Sequence, residues 1–303
     1  MSLRVLAPGA FTLLVDRGRP GWRSLGIPAG GAADLTSFRL ANALVGNDPD
    51  APALEIGLAG PVLEASADHT CVLLGDPFDI RHNDQPISCG ETIRLRRGHR
   101  LHIGIPAHGV RAYLAVRGGF RAPRYLGSVC TGVPVKTDAQ LVCSPGLLAR
   151  RWIVEPLPLP VGQSGPLRVL RDGSTTDAEW NMFLASTFRI SATSDRRGLR
   201  LEGPTFTPPD EELLSEPVTV GTVQVTRAGQ LIILGVDGPT IGGYRRLGYI
   251  IHADLDRLAH LGPGETVTFA EVSLDVAHSL WRRQVEALNE WLVRLRWSPC
   301  LER

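Results

Sequence analysis

Three clusters of arginine and carboxylate on glycine-flanked turns carry most of the chemistry this sequence can offer. The first lies between Gly18 and Pro61 (GRPGWRSLGIPAGGAADLTSFRLANALVGNDPDAPALEIGLAGP), where Arg19, Arg23, Asp34, Arg39 and Glu55 sit among turn-forming residues. Glycine lets backbone approach a ligand closely, and arginine grips a carboxylate or phosphate through two parallel hydrogen bonds. Ion pairs to Asp16 or Asp34 that merely hold the loop are the competing use of the same arginines. The second cluster is SDRRGLRLEGP, from Ser194 to Pro204, with Asp195 and Arg196 before a glycine. Arg200 and Glu202, two apart, share one face of the strand predicted to follow, either in a site or in a surface ion-pair ladder. The third is DGPTIGGY, Asp237 to Tyr244, directly after the apolar run LIILGV. Its Gly242-Gly243 amides can face an anion, with Thr240 and Tyr244 adding hydroxyls; a plain loop packed on its tyrosine is the alternative.

Other catalytic chemistries lack their residues. There is no GxSxG, HExxH or post-strand GxGxxG, and the eight histidines are scattered. Lys136 is the sole lysine and sits in VPVKTDA, which fits neither a phosphate-binding loop nor a biotin attachment segment. Five cysteines without CxxC spacing read as reduced thiols, and no zinc is expected. The net charge of +1 gives no pull toward nucleic acid or anionic membrane. With no apolar run long enough to span a bilayer, a cytoplasmic protein is expected.

Positioning those turns falls to β-structure. Short apolar runs at Phe11–Val15, Cys71–Leu74, Thr92–Leu95, Leu101–Ile105 and Tyr113–Val116 are punctuated at about 8–12-residue intervals, the pattern of antiparallel barrels and sandwiches. A helix is predicted from Asp34, its N-cap, to Val45, burying Leu35, Phe38, Ala41 and Val45 and leaving Arg39 and Asn42 on the other face. The proline-rich stretch Glu155–Pro166 marks a boundary, giving a β-rich domain over residues 1–160 and a second over 161–273. In the second, strands are predicted at Leu167–Leu170, Phe188–Ser191, Leu199–Glu202, Thr222–Thr226, Leu231–Val236 and Glu265–Val272. Thr176 to Glu179 forms a capping box that starts a helix through Leu184. In residues 274–303, Leu274, Ala277, Trp281, Leu288, Trp291 and Leu295 recur at helical spacing, for a core-covering or partner-binding amphipathic helix.

In order, GRPGW, GIPAGGAAD, RLANALVGN, ALEIGLAGP, RAYLAVRGGF, LGSVCT, SDRRGLRLEGP, SEPVTVGTVQV and DGPTIGGY resemble the KipA family, also called allophanate hydrolase subunit 2, biotin-dependent carboxyltransferase domain or the C subunit of 5-oxoprolinase. The likeness runs from about Val5 to Ala277. It implies cyclophilin-like β-barrel domains, two per chain, and a KipI-like partner, the B subunit of 5-oxoprolinase. In the oxoprolinase members a sugar-deacetylase-like subunit joins them, and the complex uses ATP to open 5-oxoproline to glutamate. In urea amidolyase a similar pair of halves moves a carboxyl group from biotin to urea. The chain departs from the family at Val15 and Arg17, where glutamine and leucine are common, at Gly30 and Ala33, where serine and methionine are common, and at Arg245, where proline or alanine is common.

The resemblance implies a small-molecule lactam hydrolase subunit that is active in its complex and binds no cofactor by itself. By their own chemistry, Arg19 and Arg200 would hold the substrate carboxylate or a phosphorylated intermediate, with Arg39, Arg196, Asp237 and Thr240 around it. Asp34, Asp195 or Glu202 would handle the proton on nitrogen, and Gly242, Gly243 and Tyr244 would orient the lactam. Alternatives are a carboxyltransferase half served by biotin on a separate carrier chain, and a non-catalytic regulator that binds a KipI-like kinase inhibitor.

Overall fold

The computed structural model describes residues 2–144, 146–148, 151, 157–160, 164–208 and 213–297. The chain forms two compact β-rich units, and the division is not a single cut. One unit comprises Met1–Gly18, Asp34–Gly162 and Glu286–Arg303, and the other Arg19–Ala33 and Gln163–Val285. The predicted boundary segment Glu155–Pro166 lies partly outside the described residues, as does Cys300. No helix among the described residues is long and apolar enough to cross a membrane.

The first unit holds two antiparallel sheets. Six strands run in the order Gln140–Val142, Ser2–Ala7, Val62–Ala65, Arg100–Pro106, Phe78–His82, Gln85–Ile87, and five in the order Phe11–Val15, Ala53–Gly57, Arg111–Val116, His69–Gly75, Ile93–Leu95. Leu3, Val5, Leu63 and Leu101 from the first sheet and Leu54, Ile56, Leu73 and Leu114 from the second share one core. Ala53–Gly57 is buried on both faces, and the helix Leu35–Leu44 packs on its sheet against Arg111–Val116 and His69–Gly75. That helix starts where predicted: Ser37 N–H donates to the Asp34 carboxylate at 2.9 Å. Asn42, expected on the polar face, is instead fully buried. Its amide donates to Ala51 O at 2.8 Å and accepts from Asn47 at 3.0 Å, so a polar side chain ties the helix end to the following loop.

Beneath the helix start lies a buried polar chain. Glu55, with no exposure, accepts from Arg111 and, at 3.0 Å, from the Tyr113 hydroxyl, which in turn accepts from Asp34 N–H at 2.7 Å. Burial, and then the negative charges of Glu55 and Asp34, raise the Tyr113 phenol well above its ordinary range, so it stays a donor.

The second unit is an eight-stranded sheet: Thr266–Val267, Phe188–Ile190, Gly198–Glu202, Leu231–Leu234, Thr222–Val225, Arg245–Ile250, Leu167–Arg171, Phe269–Glu271. Its first and last strands are separated in the chain by Thr268 alone, so the sheet nearly closes on itself. The single strand predicted over Glu265–Val272 therefore breaks at that corner, where Leu167 N–H donates to Thr268 O at 2.9 Å. Inside, Phe183, Phe188, Phe206 and Phe269 cluster, the Phe183 and Phe269 rings stacking at 4.3 Å. The helix Asp177–Ala185 has its predicted capping box, with Thr176 hydroxyl to Glu179 carboxylate at 3.0 Å and Glu179 N–H to Thr176 at 3.4 Å. Glu179 also takes Arg245 at 2.7 and 3.1 Å, which gives the unusual Arg245 a structural partner.

The last helix runs Leu274–Trp297. Ala277, Leu288 and Leu295 of its predicted stripe are buried, but Leu274 and Trp281 are largely exposed, and Trp281 rests against His252 with ring centroids 5.5 Å apart.

Two stability measurements follow from these charges. Arg111→Met strands the Glu55 carboxylate and should cost about 3–5 kcal/mol in denaturant unfolding, whereas Arg4→Met removes an exposed, solvent-screened pair to Asp138 and should leave the unfolding midpoint nearly unchanged. Burial pushes the Glu179 carboxyl up, but hydrogen bonds from Arg245 and Thr176 outweigh it and hold the group below its ordinary value. Its stabilisation is therefore complete above the usual glutamate range and fades as pH falls through the lower folded value. Melting curves of Glu179→Gln across acid pH should show a shallower acid loss than those of the unchanged chain.

Candidate anion-binding site

Strand alternation builds one wall of a pocket on the outer face of the second unit's barrel. Leu201, Val223 and Ile233 point into the core, so Arg200, Ile232 and Gln224 on the same three adjacent strands point outward. Register sets them in one row, Arg200 opposite Ile232 and Ile232 opposite Gln224. Over this row runs a short ribbon in which Glu216 pairs with Gly242 and Pro217 with Ile241. The cavity is about 780 Å³, a size suited to a small organic ligand. Arg197, Arg200 and Arg227 give it positive charge, Ser215, Gln224 and Tyr244 give it polar groups, and Ile232, Leu234 and Ile241 give it an apolar body. Among the described residues no carboxylate, histidine, thiol or lysine lines it. The arrangement can bind and orient an anion, and among its described residues it holds no group that exchanges a proton at neutral pH.

The glycine-rich turn Arg19–Ala33 buttresses this pocket from behind. Arg23 donates to Val218 O, and Val218 N–H donates to Thr240 O at 3.0 Å, fixing the ribbon. Gly30 N–H donates to Val236 O at 3.1 Å. Arg196, only 7% exposed, holds Asp237 at 2.7 and 3.2 Å and Gly31 O at 2.6 Å. Gly30 and Gly31 have φ of +61° and +92°, left-handed values that favour glycine. Sequence chemistry offered Arg23 as a grip on a ligand; its guanidinium is spent on a backbone carbonyl.

The predicted site residues separate into three groups. Arg200, Gly242, Gly243 and Tyr244 line the pocket. Arg196, Asp237 and Thr240 stand behind it in the bonds just described, and Arg19 N–H closes the buttressing turn on Ala29 O at 2.7 Å. Asp195 pairs with Arg197 at 2.8 Å; burial pushes its carboxyl up, but the Arg197 hydrogen bonds outweigh this and hold it below the ordinary range. Glu202 shares its strand face with Arg200, yet it lies opposite Arg189 and does not line the cavity. Asp34 and Arg39 belong to the first unit, Asp34 as a helix cap and Arg39 pairing with Asp50 at 2.9 Å. Of the positions that depart from the common family pattern, Val15 is buried at a strand end.

Gln224, Ser215, Arg197 and Arg227 were not among the predicted site residues. Gln224 carries one usable signal, a lone amide in the otherwise β-branched run TVQV at an outward position. Cys71 and Cys143 lie in the first core, where burial pushes their thiols up to about 12 and about 11. Among the described residues no three His, Cys, Asp or Glu side chains converge as a metal would require.

A nearly closed, mostly antiparallel barrel with an arginine-lined pocket on its outer face defines a β-barrel domain rather than a doubly wound α/β fold. The chain belongs to the carboxyltransferase domain family, subdomains A and B, whose family model matches residues 25–271. It is 35% identical to the 5-oxoprolinase C subunit of Escherichia coli over 91% of this chain and 93% of that protein, and 31% identical to its Haemophilus influenzae counterpart over 91% and 93%. The crystal structure of the Kluyveromyces lactis urea carboxylase superposes with a TM-score of 0.86 at 29% identity, covering 96% of this chain. This chain spans only 29% of that one.

Two substitutions separate pocket from buttress. Arg200 is exposed and has no ion pair among the described residues, so Arg200→Ala should leave unfolding free energy within about 0.5 kcal/mol while lowering affinity for small carboxylates. Arg196→Ala should instead cost about 1–3 kcal/mol by leaving Asp237 and Gly31 O short of a partner. Calorimetric melts beside carboxylate titrations of both variants check the order; equal destabilisation by the two would contradict it.

Proposed function

We propose that this chain is the C subunit of an ATP-dependent 5-oxoprolinase that hydrolyses the lactam of 5-oxoproline to glutamate and is active only with its partner subunits. The pocket lining carries the reading: its three arginines suit holding a substrate carboxylate and a developing oxyanion. Opening the ring adds the hydroxyl of water to the amide carbon, breaks the C–N bond and delivers a proton to nitrogen. Positive charge assists the first event, while the proton transfer needs a general acid or base. No described lining residue supplies that group, which fits a protein that works as one subunit of several. The similarity to two bacterial 5-oxoprolinase C subunits along nearly their whole length supports the same choice. ATP belongs to the assembly, since this chain's sole lysine stands in no phosphate-binding loop.

A second reading, as one half of a biotin-dependent carboxyltransferase, is favoured by the superposition on urea carboxylase over 96% of the chain. Biotin would then arrive on a separate carrier protein and present its carboxyl group at the same arginines.

The chain should be purified alone and together with its KipI-like and sugar-deacetylase-like neighbours, and glutamate release from 5-oxoproline measured with and without ATP. Glutamate should form only in the ATP-supplied complex, and Arg200→Ala in that complex should lower kcat/KM by about tenfold or more, the loss of a charged hydrogen bond. Turnover by the chain alone would overturn the division of labour. Biotin-dependent carboxylation of urea, without glutamate release, would replace this reading by the second.

A further inference from the structure

The floor of the pocket holds a polar group whose hydrogen bonding the folded chain does not complete. Gln224 is 2% exposed, and its Nε2 is buried with no acceptor among the described residues. A buried amide without a partner costs free energy in the empty protein, so such groups need a reason. Here the side chain lines the cavity, one strand beyond Ile232 and two beyond Arg200 in the same row. Gly242 of the covering ribbon passes directly over it; a Cβ there would come 3.0 Å from Nε2. A side chain at 242 would crowd the amide.

We propose that Gln224 is the specificity-determining residue of this pocket, its amide N–H reading a neutral carbonyl oxygen on a small ligand whose carboxylate is held by Arg200. An amide donor discriminates where the arginines do not: guanidinium groups hold any carboxylate, while the buried N–H favours only ligands that also bring an acceptor to the floor. Ile232, between the two, packs against the apolar ring that joins them. The ligand class is a compact carboxylic acid bearing a lactam or ureido carbonyl, not a simple aliphatic acid. The inference rests on the oxoprolinase reading only for its probe.

The test uses the full chain and three probes: 5-oxoproline, cyclopentanecarboxylate, which keeps the ring and carboxylate without the carbonyl, and biotin, which carries a ureido carbonyl. Dissociation constants would be measured by NMR titration for the unchanged chain, Gln224→Met and Gln224→Glu. The unchanged chain should prefer 5-oxoproline over cyclopentanecarboxylate by about tenfold, one neutral hydrogen bond's worth. Both variants should reduce that preference to within about twofold, and Gln224→Met should melt no lower than the unchanged chain, because it removes an unpaired buried donor. A preference that survives both substitutions, or a lowered melting temperature for Gln224→Met, assigns Gln224 a structural role and overturns the proposal, as does failure of all three probes to bind. If biotin alone binds, and does so in a Gln224-dependent way, the role of Gln224 stands and the oxoprolinase reading falls.

Discussion

The ion pair of Arg196 with Asp237 is the contact on which the pocket depends. Its guanidinium also reaches Gly31 O, so one nearly buried side chain joins the turn before the Gly198–Glu202 strand, the turn after Leu231–Leu234 and the glycine-rich segment at residues 19–33. The neighbouring backbone is packed too closely for side chains. A Cβ at Gly235 would stand 2.3 Å from Arg196 O, and one at Gly238 would stand 2.9 Å from Arg197 O. With these turns fixed, Arg197 and Arg200 project from one wall and Ile241 to Tyr244 from the other. The pocket is preorganised because its cationic groups stand on strands and bonded turns, the condition under which charge stabilises a transition state without rearrangement.

Local chemistry made much of the fold legible. The Asp34 cap, the Thr176–Glu179 box and the alternating strands depend on neighbours within a few residues, and each formed close to its predicted place. Asn42 did not follow its helical face, because its amide found loop carbonyls that no periodicity encodes. The joining of residues 19–33 to the second unit was equally hidden, since it rests on Arg23, Gly30 and Gly31 meeting partners about 165–206 residues away in sequence.

The candidate site was half legible for a related reason. Arginine on a glycine-rich turn announces a bound oxygen but not whose oxygen it is: for Arg23 it is Val218 O, for Arg196 it is Asp237 and Gly31, and Arg200 alone of the three is left facing the cavity. Spacing of two correctly put Arg200 and Glu202 on one face, but the covering ribbon reaches only the first. Gln224 needed the register of three strands before its position beside Arg200 had meaning.

The same distribution of groups bears on proton transfer. A general acid must carry a proton at working pH, and Asp195, two residues from the pocket's Arg197, is held below the ordinary carboxylate range by that arginine. Raising its pKa by removing Arg197 would strip a cation from the pocket lining, so proton availability at Asp195 and positive charge in the cavity oppose each other. On the proposed reading such a scaffold would separate the two jobs, keeping anion binding within one barrel and taking proton exchange from a group on another chain. The two proposed chemistries, lactam hydrolysis and carboxyl transfer, would share that separation: each must stabilise charge on an amide-like N–C=O group, and they would part in what the partner delivers.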